Sequence, residues 1–161
     1  MSESSSETRP RLPSLLKRPL SALPARLHSM MVAKALGQVF AAEIADGELD
    51  FLRGRTVRIT VEDAGVAIGL SLQGSRFIAV PHRQPADLTI RGTVYDYLLL
   101  IGEREDPDTL FFQRRLGMEG DTDLGVHLKN FLASVEMASL PLPVAIRPLL
   151  DRGVSLYERL A

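Results

Sequence analysis

Between Thr56 and Leu72 apolar and polar residues alternate almost one for one. Val57, Ile59 and Val61 alternate with Thr56, Arg58 and Thr60, and Val66, Ile68, Leu70 and Leu72 alternate with the small residues Ala67, Gly69 and Ser71. A period of two is that of a strand with one buried face. Glu62-Asp63-Ala64-Gly65 and Gln73-Gly74-Ser75 supply turns, and the series continues through Arg76 to Val80 and through Leu88 and Ile90, which alternate with Asp87, Thr89 and Arg91. Connections this short predict an antiparallel meander. A last strand is expected from Leu110 to Met118. There Leu110, Phe112, Leu116 and Met118 share a face interrupted by Arg114, and Phe111, Gln113 and Arg115 take the other. The expectation is α+β, with a five-stranded antiparallel sheet that is greasy on one face.

Elsewhere the period lengthens to that of a helix. Val32, Leu36, Val39, Phe40 and Ile44 line one side of a stretch from about Leu27 to Ile44, closed by Asp46-Gly47, and residues 48–53 suit a second short helix. Thr93 and Asp96 have capping-box spacing, Gly102 supplies a stop, and between them Tyr95, Tyr97, Leu98, Leu99, Leu100 and Ile101 are apolar nearly all round. Such a helix has to be covered on several sides or face an apolar cavity. Glu119-Gly120-Asp121-Thr122 breaks the last strand and caps a helix in which Leu124, Leu128, Phe131, Leu132 and Val135 share a face. Beyond Pro141 and Pro143, Pro148 suits the first turn of a final amphipathic helix carrying Leu149, Leu156 and Leu160. That helix either covers the core permanently or works as a lid.

The first 23 residues stand apart as a flexible arm before a domain spanning 24–161. Met1 to Thr8 has nothing to bury, whereas from Arg9 to Lys34 there are basic residues, leucines and four prolines but no acidic residue. Leucines beside Lys and Arg suit the boundary between acyl chains and anionic headgroups, which makes Leu15, Leu16, Lys17, Arg18, Leu20, Leu23 and Arg26 the candidate membrane contacts. The competing reading packs the leucines back on the domain and leaves the charges solvated.

Composition narrows the function. A length of 161 residues at 45% hydrophobic and 24% charged is one globular domain's worth, and a net charge of -1 lacks the basic surplus of a nucleic-acid binder. The absence of cysteine removes disulfides, thiolate metal sites and cysteine nucleophiles. With no apolar run long enough to span a bilayer and no secretory pattern at the N-terminus, the expectation is a cytoplasmic protein, free or peripheral on the inner face of the membrane.

Candidate chemistry is thin. His28, His82 and His127 lie in three unrelated contexts with no second ligand at helical spacing, so no metal or other cofactor is expected. Gly69 to Gly74 resembles a nucleophile elbow only loosely, since its second glycine is one place late and strand leads into hairpin rather than helix. Gly117-Met118-Glu119-Gly120 has no lysine or glycine triplet to cradle phosphate. Asp121 and Asp123, at a helix start, are explained by capping and the helix dipole.

The run Leu-Phe-Phe-Gln-Arg-Arg-Leu followed by Glu-Gly-Asp-Thr-Asp-Leu-Gly resembles the last strand and following helix of the sterol carrier protein type 2 family, and within it the bacterial ubiquinone-biosynthesis accessory factors. The resemblance runs from about Leu36 to Val135. It implies a non-enzymatic α+β domain enclosing a hydrophobic lipid cavity, serving oxygen-independent ubiquinone synthesis. The ligand implied is a prenylquinone precursor or phospholipid, presented to cytosolic hydroxylases, with other ubiquinone-biosynthesis proteins as partners. Matched to the family's cavity elements, the lipid-contact candidates are Leu98, Ile101, Phe112, Leu116, Leu124, Leu128 and Phe131. Where many relatives have glycine and lysine in the last strand, this chain has Gln113, Arg114 and Arg115. Arg114 is the candidate headgroup contact, against the alternative of a surface arginine. Two other classes stay open: a small enzyme acting on lipids or acyl groups, and an interaction module with a solid core.

Overall fold

The computed structural model describes residues 24–136, 140 and 146–160. Helix α1 (Ala25–Val39) and the short α2 (Ala41–Ala45) precede a single 3-10 turn at Asp50–Leu52. Strands β1 (Thr56–Val61), β2 (Val66–Gln73), β3 (Arg76–Ala79) and β4 (Leu88–Gly92) follow, then α3 (Val94–Ile101), α4 (Pro107–Phe112), β5 (Gly117–Gly120), α5 (Thr122–Ser134) and α6 (Ile146–Leu160).

The sheet order is β3-β2-β1-β4-β5, and it is mixed rather than antiparallel throughout. The meander β1-β2-β3 is antiparallel as expected. β4, however, inserts beside β1 in parallel, pairing Val57 with Leu88 and Ile59 with Ile90, and β5 closes the edge antiparallel to β4. The cause is the β3–β4 connection, which is long enough to recross the sheet over its polar face. Arg58, on that face, donates to the carbonyls of His82 and Gln84 at 3.1 and 2.8 Å and holds the crossing in place. At its end Asp87 accepts from the Thr56 N–H at 2.7 Å while its own N–H donates to the Thr56 carbonyl at 2.8 Å, which fixes the register.

With this register one face carries Val57, Ile59, Ile68, Leu70, Leu72, Leu88 and Ile90, all turned toward the helices. α1 packs on β2 and β3, where Ala33 is buried against Ile68 and Leu70 and the Gly69 N–H donates to Ser29 Oγ at 3.1 Å. Gly69 has to be glycine, since a Cβ there would lie 2.4 Å from the Val80 carbonyl oxygen. The expected continuous helix from Leu27 to Ile44 breaks at Phe40 (φ -103°, ψ 22°). That kink turns the Phe40 ring edge-on to Phe131 of α5 at 5.5 Å.

The capping box at α3 forms as its sequence predicts. The Thr93 N–H and hydroxyl donate to Asp96 at 3.0 and 2.8 Å, and the Asp96 N–H donates back to Thr93 Oγ1 at 3.3 Å. Asp96 is fully buried and also faces Arg115 at 3.3 Å, whose guanidinium lies over the Tyr95 ring. α6 packs on the outer side of α3 through Val154, which joins Leu99, Leu100, Leu110 and Leu116 in a second buried cluster.

The expected strand from Leu110 to Met118 does not form at that length. Asp106 caps a helix by accepting from the Thr109 N–H at 3.2 Å, and Pro107 occupies its first position, where a missing N–H does no harm. The helix runs to Phe112, Arg114 takes a left-handed conformation (φ 59°), and extended backbone resumes only at Gly117. The helical phase sends Leu110 into the core but leaves Phe112 89% exposed. Leu110→Ala is therefore expected to cost about 2–5 kcal/mol in urea unfolding and Phe112→Ala less than about 0.5 kcal/mol; similar costs would mean that both face inward.

Candidate functional site

α1 and α5 pack on the apolar face of the sheet but leave between them and the sheet a cavity of about 610 Å³. Its floor is β1, β2 and β4 through Val57, Ile59, Val61, Ile68, Leu70 and Ile90, and its walls come from α1, α3 and α5. It follows β1 from end to end, roughly 20 Å at about 3.3 Å per residue. At the start of β1 it is bounded by Leu49, Leu52 and Arg55, and at the far end by Val94, Leu98 and Ile101. Volumes of about 300–1,000 Å³ are those of small-molecule sites. A space of this size with walls this apolar is suited to an apolar occupant.

The polar groups on this wall are few and mostly committed. The Tyr97 hydroxyl reaches the backbone carbonyls of Thr60 and Ile90 at 3.1 and 3.4 Å, and burial, then the carboxylates of Glu62 and Asp96, push its ionisation above the ordinary range. Arg55 is the one charged residue on the wall among those described. Its guanidinium pairs with Asp121, the N-cap of α5, and its Nε lies 3.6 Å from Asp87. Asp121 is held below its usual carboxylate range, first by the Leu124 N–H that it caps and then by Arg55; Arg55 is raised in return, chiefly by its hydrogen bond to Asp121. His127, beside the apolar stripe of α5, stacks on Phe51 at 5.7 Å and bonds the Asp123 carbonyl through Nδ1 at 2.8 Å.

Of the residues proposed from sequence for lipid contact, Leu98, Ile101, Leu116, Leu128 and Phe131 lie on the cavity wall. Leu124 does not; it is buried between α5 and the sheet. Phe112 points to solvent, and Arg114 borders a separate polar recess of about 580 Å³ along β5 and α5, on the other side of Leu116 and Phe111. Both displacements follow from the helix that replaces the expected strand. Among the membrane candidates, Leu15, Leu16, Lys17, Arg18, Leu20 and Leu23 lie outside the described residues, and Arg26 is exposed at the start of α1. Wall residues passed over in the sequence include Val39, Phe40, Ile59 and Phe77. Their alternation and helical spacing were visible as core; what local pattern cannot carry is the distance between the two layers. Arg55 gave no signal at all, standing one place before the alternating run.

The profile of the SCP-2 sterol transfer family matches residues 32–133. The chain belongs to that family. This SCP-2 family member is 36% identical over 129 residues to the ubiquinone biosynthesis accessory factor UbiT of Escherichia coli (strain K12), covering 80% of this chain and 74% of that protein. UbiT of Escherichia coli O157:H7 matches to the same extent. Among solved structures, the UbiJ-SCP2 ubiquinone synthesis protein superposes with a TM-score of 0.54 at 14% identity, over 66% of this chain and 93% of that one. The last is a likeness of fold, and the mixed sheet with helices over one face is accordingly an SCP-2 fold.

The Asp121 pairing has a pH signature. A carboxyl whose pKa is lowered by folding stabilises the fold fully above its ordinary value of 3.8 and loses that contribution as pH falls through the lowered one. Urea unfolding is expected to show the native chain losing more stability below about pH 4 than Asp121→Asn does. Parallel slopes would remove Asp121 from the acid response.

Proposed function

We propose that this protein is a non-enzymatic lipid-binding accessory factor of oxygen-independent ubiquinone biosynthesis, which holds the hydrocarbon tail of a prenylated precursor or phospholipid and presents it to cytosolic hydroxylases. The observation that carries the reading is the apolar cavity of about 610 Å³ along β1. Each methylene transferred from water into such a space gains about 0.8 kcal/mol, so even a few isoprene units prefer it strongly to solvent. The relationship to UbiT, a ubiquinone biosynthesis accessory factor, supports the choice of pathway. The lipid-contact residues in this reading are Leu98, Ile101, Leu116, Leu128 and Phe131. A solid interaction module fits less well, because side chains do not fill the space between sheet and helices.

Loading requires the protein to meet a bilayer, and the first half of α1 suits that task. Leu27, Met30 and Met31 are exposed there, Met31 by 60%, with Arg26 and Lys34 exposed beside them. An apolar strip edged by cations matches an anionic membrane surface, where each basic residue adds about 1 kcal/mol. It would continue the contact assigned to Leu15, Leu16, Lys17, Arg18, Leu20, Leu23 and Arg26.

Two experiments test these assignments. Ile59→Trp, which fills the cavity from its floor, is expected to abolish lipid co-purification in native mass spectrometry and to lower ubiquinone in cells grown without oxygen when it replaces the native chain. Retained lipid and normal quinone in a folded variant would refute the cavity's role. Deleting residues 1–23, or substituting Met31→Glu, is expected to weaken sedimentation with vesicles containing phosphatidylglycerol; unchanged sedimentation would reject the membrane contact.

A further inference from the structure

β5 is the last strand of the sheet, and its outer margin is open. Among the described residues β4 alone pairs with it. The Glu62 N–H donates to the Gly92 carbonyl at 2.9 Å, which turns the even-numbered residues of β4 toward β1 and leaves Asp87, Thr89 and Arg91 facing β5. Asp121, Glu119 and Gly117 answer them from the other side, as the Asp121 N–H does at the Asp87 carbonyl at 2.8 Å. Met118 and Gly120 therefore point their N–H and C=O outward. Gly117 and Gly120 at the two ends of the strand leave little side chain to shield that margin.

On the helix side the margin borders the recess of about 580 Å³. Phe111, Leu116 and the half-exposed Val126 form its apolar wall. Its cations are Arg91, Arg114 and Lys129, and its carboxylates are Glu119 and Asp121. Both carboxylates are already paired, Glu119 with Arg91 and Asp121 with Arg55, while Lys129 lies 3.6 Å from Asp108 on the exposed surface. The surplus along the recess is thus positive, at Arg114 and Lys129. An open strand margin beside an apolar wall is a template for an extended chain, and the charge decides which chain fits. A second copy added through its own β5 would set Arg114 and Lys129 against the same cations across a two-fold axis. An acidic segment meets them favourably.

We propose that the free margin of β5 docks an extended acidic segment of a partner protein, added as a further strand antiparallel to β5. An apolar side chain opposite Met118 turns into the recess, and carboxylates two places to either side of it face Arg114 and Lys129. The position is clear of the exposed strip of α1, which lies over β2 and β3 at the opposite end of the sheet. It also adjoins the cavity, since Phe111 and Leu116 line both spaces. Docking at β5 requires no lipid, so it stands or falls separately from the function proposed for the cavity.

Amide NMR of the full chain, titrated with the peptide acetyl-Thr-Asp-Thr-Val-Thr-Asp-Thr-amide, tests the proposal. The amide signals of Met118 and Gly120 are expected to shift and their hydrogen exchange to slow. The same peptide with lysine in place of aspartate is expected to bind about tenfold more weakly. A peptide N-methylated at valine cannot donate to the Met118 carbonyl and is expected to leave both amides unprotected. Arg114→Gly keeps the left-handed turn (φ 59°), where glycine is at ease, and is expected to cut the preference for the acidic over the lysine peptide about threefold. Lys129→Met is expected to do the same and decides alone if Arg114→Gly does not fold. A merely structural role for these cations would move the urea midpoint and leave the preference unchanged, which overturns their part in docking. Equal binding of the acidic and lysine peptides removes the acidic partner, and full protection by the N-methylated peptide removes the added strand. No shift at Met118 and Gly120 in millimolar acidic peptide overturns the proposal altogether. Shifts there that grow with protein concentration alone give the margin to a second copy, and the proposal falls.

Discussion

One sheet face has to be kept from water, and the helices that cover it do not have the side-chain volume to fill the space beneath them. Val57, Ile59, Ile68, Leu70 and Ile90 form a continuous apolar floor, and leaving such a floor wet forfeits the main driving force of folding. The residue after α1, Phe40, meets α5 across it through the edge contact with Phe131, with Phe51 tilted behind at 6.4 Å from Phe131. The aromatic rings pack into the same buried cluster as the sheet residues. The chain's own side chains leave part of the space between roof and floor unfilled.

The electrostatics serve that arrangement. Ion pairs exposed on the surface contribute little to stability, and those of Arg104 with Asp151 and Lys129 with Asp108 belong to this class. The two arrangements that position something are elsewhere. Asp96 ties the start of α3 to Arg115 and so to the turn before β5, joining the far end of the cavity to the sheet edge. Arg55 ties the entry of β1 to the cap of α5 at the opposite end. Each end of the hollow is thus held by a carboxylate that caps a helix and faces an arginine from another element.

What the sequence made legible was whatever is local. The alternation at 57–61 and 66–72, the Thr93–Asp96 capping box and the Asp121 cap each depend on residues within a few places of one another, and each stands in the structure as its pattern implies. The parallel insertion of β4 was not legible, because Leu88 and Ile90 alternate identically in a parallel or an antiparallel ladder; the decision lies in the Arg58 contacts to a loop far along the chain. The α4 helix was hidden for a different reason. Asp106-Pro107 is a good helix start, but the spacing of Leu110, Phe112 and Leu116 imitates a strand, and only the exposure of Phe112 reveals the true phase. The cavity was visible only as greasy faces in want of cover. How far two such faces stand apart is a property of no single segment, and the family resemblance rather than the periodicity pointed to a hollow.

The packing of α6 gives the molecule two regions of different stiffness. Leu99, Leu110 and Val154 interlock on the outer side of α3 away from the cavity, whereas Leu100 and Leu116 of the same cluster reach its wall. A change in what fills the cavity would reach α3 through Leu100 and Leu116, while Leu99, Leu110 and Val154 lie behind them. Protein interiors packed to crystal-like density resist deformation, so α3 has a firm back against which its inner surface can shift.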